Sequence, residues 1–121
     1  MSVSINTHGA LEQPTSVRLT TTNITDIYEA SNPNGTTVVA ITLANETAGA
    51  VIVKIDRYNG TTNFNTFRRS VAANATEIFS DFPIKMRAGH IIRATADGAN
   101  AITVNVAVVL DAATATGARG G

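Results

Sequence analysis

The strongest constraint on the fold is a two-residue alternation of side chains between residues 101 and 110. Large apolar residues occupy every second position, and the positions between them hold mostly smaller side chains. The apolar positions are Ile102, Val104, Val106, Val108 and Leu110. Because successive side chains of a strand point to opposite faces of its sheet, this pattern predicts a strand with one buried face.

The same alternation recurs over residues 37–46 and 51–56, and no helical period competes with it. The residues predicted to point inward are Val39, Ile41, Leu43, Val51, Val53 and Ile55. Together with residues 90–96 and 101–110, these segments are expected to supply most of the core. Several strands with one apolar face each predict two sheets packed together, a β-sandwich.

Turn-forming residues divide the chain into seven to eight short strands, spaced about 8 to 12 residues apart. This spacing predicts an all-β protein, an antiparallel β-sandwich with either jelly-roll or immunoglobulin-like strand order. Only residues 48–50 separate the strands predicted at 37–47 and 51–58. Such a short connection predicts that these two strands form a hairpin.

The two ends of the chain differ in composition from its middle. Residues 1–16 are mostly polar and show no sustained alternation, and residues 111–121 contain no large apolar side chain. Segments of this composition cannot bury enough apolar surface to order themselves alone. The sequence therefore predicts an extended N-terminal arm at 1–16, a β-sandwich domain at 17–110 and a flexible C-terminal tail at 111–121.

Composition narrows the classes of partner. The chain carries 9 Lys and Arg residues against 9 Asp and Glu residues. A balanced charge provides no long-range field for nucleic acid or for an anionic membrane, so neither is a predicted partner. Cysteine is absent, which excludes disulfides and thiolate metal sites. The first residues resemble no secretory signal, which predicts synthesis in a cytoplasm.

No group of residues has the spacing of a catalytic or metal site. The histidines, His8 and His90, have no partner at a zinc-ligand spacing, and the acidic residues are scattered. No serine stands in a Gly-x-Ser-x-Gly setting, and no glycine-rich loop precedes a helix. The sequence predicts a protein that is not an enzyme and that binds neither cofactor nor metal.

Basic and aromatic residues gather around the turn predicted at 59–63. Arg57, Arg68 and Arg69 flank this turn and predict a local basic edge. Rings among basic residues also occur in proteins that bind single-stranded nucleic acid. Arginine is a common anchor of protein contacts, however, and we favour structural or intersubunit salt bridges. The predicted protein-interface residues are Arg57, Tyr58, Arg68, Arg69, Arg87 and His90.

The order of these segments resembles that of small β-sandwich virion proteins of tailed bacteriophages. The resemblance spans residues 17–110 and consists of strand and turn patterns. The segments that carry it are LTTT at 19–22, TDIYEA at 25–30, VVAITLANET at 38–47, AVIV at 50–53 and PIKMRAGHIIRATA at 83–96. His90 stands where relatives tend to carry an acidic residue, so nothing is carried over for that turn.

The resemblance implies a non-enzymatic protein that binds the capsid exterior. Its expected role is that of a capsid decoration (cement) protein, which stabilises the lattice of the major capsid protein. The expected partners are the major capsid protein and further copies of the chain, as a homo-oligomer and specifically a trimer. The expected location is the outside of the virion, after synthesis in the host cytoplasm.

Two other functions compete with this one. A head–tail joining protein would be present in about a dozen copies per particle, whereas a cement protein is present in hundreds. A fibre or tail accessory protein with a receptor- or carbohydrate-binding sandwich would need exposed aromatic platforms. Only Tyr28 and Tyr58 are candidates for such platforms, because tryptophan is absent.

Overall fold

The computed structural model describes residues 10–11 and 13–111, and the regular elements within them are all β-strands. The strands are β1 (Ala10–Leu11), β2 (Thr15–Leu19), β3 (Thr25–Glu29), β4 (Thr36–Asn45), β5 (Val51–Tyr58), β6 (Asn63–Val71), β7 (Thr76–Phe79), β8 (Ile84–Met86), β9 (Ile91–Ala96) and β10 (Ile102–Leu110). Every strand pair is antiparallel. The described residues contain no helix that is long and apolar enough to cross a bilayer. The prediction of an all-β fold is confirmed.

The strands form a six-stranded and a four-stranded sheet. In the larger sheet, β10 lies beside β4; β1 and β2 share the outer edge of β10, and β7 and β8 share that of β4. The smaller sheet has the order β3-β9-β5-β6. With each shared edge counted as one strand, the orders are β2-β10-β4-β7 and β3-β9-β5-β6. This is the order of a jelly roll, which decides between the two sandwich topologies that the sequence left open.

Two short strands explain why the described part of the structure has ten strands and the sequence predicted seven to eight. β1 and β8 are two and three residues long, and each extends an edge that a longer strand already occupies. β8 begins directly after Pro83 and pairs with the first residues of β4, from Thr36 to Val38. An edge position agrees with the sequence, because proline has no N–H to donate within a sheet.

The predicted hairpin between 37–47 and 51–58 is wrong. β4 pairs with β10, β7 and β8 in the larger sheet, whereas β5 pairs with β9 and β6 in the smaller one. The connection after Asn45 therefore crosses from one layer of the sandwich to the other. Both strands carry an apolar face, and opposite layers let these faces meet in one core, which a flat hairpin would not do.

The core lies between the sheets and contains the residues that the alternation selected. Val104 and Val106 in β10 and Val53 and Ile55 in β5 are fully buried. Val39 is an exception, since it was predicted to point inward and is exposed. Val38↔Val108 and Ala40↔Ala107 are successive pairs, so Val39 has no partner. This bulge turns Val38 inward in its place.

The predicted arm and tail contain residues whose backbone is hydrogen-bonded to the sandwich. β1 and the first residues of β2 fall within the predicted arm, and both pair with β10. Asp111, the first residue of the predicted tail, donates its N–H to the Gly35 carbonyl at 3.0 Å. Residues 1–9 and 12 of the predicted arm and residues 112–121 of the predicted tail lie outside the described residues.

The Asp111 side chain fastens the end of β10 to the start of β4. Its carboxylate accepts hydrogen bonds from Lys85 Nζ at 2.6 Å and from Thr37 Oγ1 at 2.8 Å. Burial by itself would raise the pKa of Asp111, but these hydrogen bonds and the Lys85 charge lower it below its usual range. The carboxylate is therefore charged at neutral pH and stabilises this end of the sandwich.

Candidate protein interface

The structure does not bring the predicted interface residues together at one edge. Arg57 lies near the end of β5 opposite Phe64, whereas Arg68 and Arg69 pair with Lys54 and Val53 further back along the same strand. Arg68 and Arg69 are neighbours in β6, so their side chains leave opposite faces of the sheet. The basic edge predicted from Arg57, Arg68 and Arg69 is therefore three separate environments.

One environment, the Arg57–His90 cluster, consists of Arg57, Phe64, Arg87 and His90 at one end of the sandwich. The Arg57 guanidinium lies 5.1 Å from the centre of the Phe64 ring, and its Nη1 is 3.4 Å from His90 Nδ1. The Arg87 backbone N–H donates to the same Nδ1 at 3.4 Å. Nδ1 therefore acts as an acceptor, which places the proton of the neutral imidazole on Nε2.

The charge state of this cluster depends on pH. Partial burial, followed by the positive charges of Arg57 and Arg87, lowers the pKa of His90 below its ordinary value of 6.5. At neutral pH the ring is uncharged, so two arginines provide the positive charge of the cluster. Acidification adds a third positive charge beside them.

We expect His90 to titrate below pH 6.5 in the folded protein. The unfolded chain, whose histidines titrate near the ordinary value, binds the proton more readily. The contribution of His90 to stability is therefore present above pH 6.5 and is lost as the pH falls through the folded-state pKa. NMR titration of the ring protons in a His8→Gln variant follows His90 alone. A value at or above 6.5, or one that Arg57→Gln leaves unchanged, would contradict this assignment.

Tyr58 is occupied within the chain. The Arg93 guanidinium lies 3.8 Å from the centre of its ring, and the same arginine donates from Nε to Asp26 Oδ1 at 2.7 Å. The Tyr58 hydroxyl donates to the Gly60 carbonyl at 2.9 Å. Tyr28, the other candidate platform, packs against the core. Neither tyrosine offers both ring faces to a sugar.

Arg69 holds the two sheets together. Its guanidinium lies 3.6 Å from Glu77 and 3.4 Å from Asp81, which belong to β7 and to the segment after it. The same group lies 5.7 Å from the ring centres of Phe67 and Phe79, and these two rings stack at 4.1 Å. Arg69 thus makes the structural salt bridges that the sequence favoured for this region.

Arg68 faces outward into a shallow groove of about 450 Å³ on the four-stranded sheet. Its cross-strand neighbour there is Lys54, which is not among the interface residues predicted from the sequence. A count outward from the turn predicted at 59–63 places residues 54 and 68 opposite each other. The sequence therefore contained the information needed to predict this pair. We name this surface the cationic groove; its lining consists of Thr22, Ile52, Lys54, Arg68, Thr95, Ala96 and Asp97.

The outer surface of the six-stranded sheet is nearly free of charge in its middle. We name it the neutral face; it comprises Ser16, Val39, Ala40, Thr42, Ala44, Ile78, Thr103, Asn105, Ala107 and Val109. An ion pair between Arg18 and Glu46 borders one end at 3.5 Å. The Lys85–Asp111 pair borders the other end at 2.6 Å. Small uncharged side chains allow another surface to approach without desolvating a charge.

Asp56 is the one buried carboxylate of the described residues, at 3% exposure. Asn63 and Asn65 donate their side-chain N–H groups to it at 2.8 and 2.9 Å. The described residues contain no group of three histidine or acidic side chains that could hold a metal ion. Asp56 therefore has a local structural explanation in the hydrogen bonds that join β5 to β6.

No protein-family model matches this chain, and no curated protein matches it. Solved structures do match. One is from the endospore appendages of Bacillus, described as a novel family of disulfide-linked pili. Its identity is 13% and its TM-score 0.58, with 93% of this chain and 98% of that chain covered.

A second match is from the acid-stable capsid of the Helicobacter pylori bacteriophage KHP30. Its identity is 14% and its TM-score 0.58, with 84% of this chain and 88% of that chain covered. At these identities the likeness establishes a common fold. A phage capsid chain thus shares the fold of this protein, which agrees at that level with the resemblance to phage virion proteins.

Proposed function

We propose that this chain is a non-enzymatic structural protein of a virion, a decoration (cement) protein that binds the outside of a phage head. The neutral face is the observation that carries the proposal, because it lets copies of the chain associate with one another while their other surfaces contact the shell. It is a broad, uncharged surface on a sheet whose opposite side is packed into the core. Occupation of many equivalent sites on a shell turns modest individual contacts into stable attachment.

The proposal divides the contact surfaces by chemistry. The neutral face associates with further copies of the chain, as a trimer, because copies with an uncharged face do not repel one another there. The Arg57–His90 cluster and Arg68 are assigned to contacts with the major capsid protein. Tyr58 and Arg69 make their contacts within the chain. Their role in the proposal is to stabilise the fold that presents these surfaces.

The test is to mix the purified protein with heads that lack it. We expect saturable binding of hundreds of copies per head, together with a higher temperature of head disruption. About a dozen copies per particle would instead indicate the head–tail joining role. An absence of saturable binding, with the protein shown to be folded by circular dichroism, would overturn the proposal.

A filament subunit is a second candidate function. The match to the spore-appendage pilus protein covers nearly all of both chains, and this observation favours it. Cysteine is absent from this chain, so any filament would be held by non-covalent contacts. Electron microscopy of the concentrated protein is the test, since regular filaments would support this function and discrete trimers would support the first.

A further inference from the structure

The cationic groove contains two like charges on directly opposed residues, a pairing that destabilises the folded sheet. Lys54 and Arg68 stand directly opposite each other on β5 and β6, where Cβ atoms are about 5 Å apart. Like charges at such positions destabilise a sheet. Among the salt bridges of the described residues, none involves either side chain. Both charges are therefore available to a partner.

The remaining lining of the groove complements these two charges. Ile52 is exposed beside Lys54, on the same outward face of β5. Thr95 pairs with Lys54 from the other side. Asp97 also lines the groove, but its Oδ1 accepts a hydrogen bond from the Ile52 N–H at 2.9 Å and so is held at the rim. The groove has a net positive charge and an apolar side chain beside it.

From this geometry we infer that the cationic groove binds an acidic peptide segment of another protein. One or two Asp or Glu carboxylates of that segment pair with Lys54 and Arg68, and a neighbouring apolar side chain packs on Ile52. The bound carboxylates remove the cross-strand repulsion, so binding also stabilises the β5–β6 pair. The inference deepens the proposed function, because the capsid protein would supply the segment.

A peptide fits this site better than a nucleic acid. Single-strand binders align aromatic rings with their basic groups to stack bases, and none of the described residues that line the groove is aromatic. The aromatic residues near basic groups lie elsewhere, with Phe64 beside Arg57 and Phe67 beside Arg69. The balanced charge of the whole chain also provides no field to attract a polyanion.

The test is an NMR titration of the full ¹⁵N-labelled chain with the peptide Gly-Asp-Ile-Glu-Gly. We expect saturable shifts of the Ile52, Lys54, Arg68 and Thr95 amides. The Lys54→Thr, Arg68→Thr double variant is expected to bind the peptide at least tenfold more weakly. Its melting temperature should rise by about 1–4 °C, because the opposed charges are gone.

The matched control is the Arg18→Thr, Lys85→Thr double variant, which also loses two positive charges, both of them outside the groove and outside the Arg57–His90 cluster. It should bind the peptide as the natural chain does. Equal loss of binding in this control would overturn the inference, as would an absence of saturable shifts in the natural chain. Stronger binding of a dT₆ oligonucleotide or of inorganic phosphate at the same amides would also overturn it, in favour of a general anion site.

The peptide titration requires no heads. Groove binding without head binding would retain the site and reject the cement role, and the reverse result would reject only the site.

Discussion

Replacing Gly35 with alanine is expected to lower the free energy of unfolding by about 3 kcal/mol, the sum of two costs. Gly35 has a φ of +93°, a conformation that costs an L-residue roughly 1–2 kcal/mol. A Cβ there would lie 2.8 Å from the Met86 carbonyl oxygen and 3.2 Å from Asp111 Oδ2. Backbone cannot move aside as a flexible side chain does, so overpacking adds about 1–3 kcal/mol. Urea denaturation measures the loss.

Two other glycines separate these costs. Gly60 has a φ of +98° with open space around it, so Gly60→Ala should show the conformational cost alone. Gly49 has neither a positive φ nor an atom within 4 Å of the added Cβ, so Gly49→Ala should change stability by less than about 1 kcal/mol. If Gly35→Ala costs no more than Gly60→Ala, the close approach to β8 is not a constraint.

Replacing Asn45 with alanine is expected to cost a similar amount, about 3 kcal/mol. Asn45 is 3% exposed and lies where the chain crosses between the sheets. Its Nδ2 donates to the carbonyls of Gly49 at 2.8 Å and Val71 at 3.0 Å, and its Oδ1 accepts from the Thr47 N–H at 2.9 Å. Alanine would remove all three hydrogen bonds, including the one to the buried Val71 carbonyl, and would leave the Gly49 carbonyl only the hydroxyl of Thr47 at 3.1 Å.

Asn59 provides the matched control for this substitution. Its Oδ1 accepts hydrogen bonds from the backbone N–H groups of Thr61 and Thr62 at 2.9 and 2.7 Å, and the residue is exposed. Water replaces the lost side chain there, so Asn59→Ala should cost about 1 kcal/mol or less. Chemical denaturation of both variants gives the comparison. Equal losses would show that Asn45 is no more than a turn residue.

The predicted interface residues show which contacts can be predicted from the local sequence and which cannot. Counting outward from the turn predicted at 59–63 places Arg68 opposite Lys54, and the hairpin of β5 and β6 has this register beyond its bulge at Ile55 and Asp56. Arg57 and His90 are 33 positions apart, and they meet because β5 pairs with β9. Arg69 was grouped with Arg68 by sequence, but the alternation of a strand sends these neighbours to opposite faces.

Some features of the fold likewise follow from the local sequence, and others depend on strands that are distant in the chain. The positive φ of Gly35 and the edge position of β8 after Pro83 follow from local chemistry, and the predicted burial of Val104 is confirmed. The exposure of Val39 was missed because a bulge leaves no clear mark in the sequence of one strand. It arises from the match of β4 to β10, whose paired residues on the two sides of the bulge lie 67 and 70 positions away along the chain.

The sequence by itself determined that this is an all-β chain, where most of its strands lie and, apart from Val39, which side is buried in the three strands whose alternation is strongest. A period of two requires no knowledge of any neighbour, because each strand alternates whatever it pairs with. Only the tertiary structure decided which strands pair. β4 and β5 present equivalent apolar faces, and their short connection, which predicted a hairpin, is also long enough to cross between the layers. The choice depends on where β10 and β9 offer backbone hydrogen bonds, and those partners are distant in sequence.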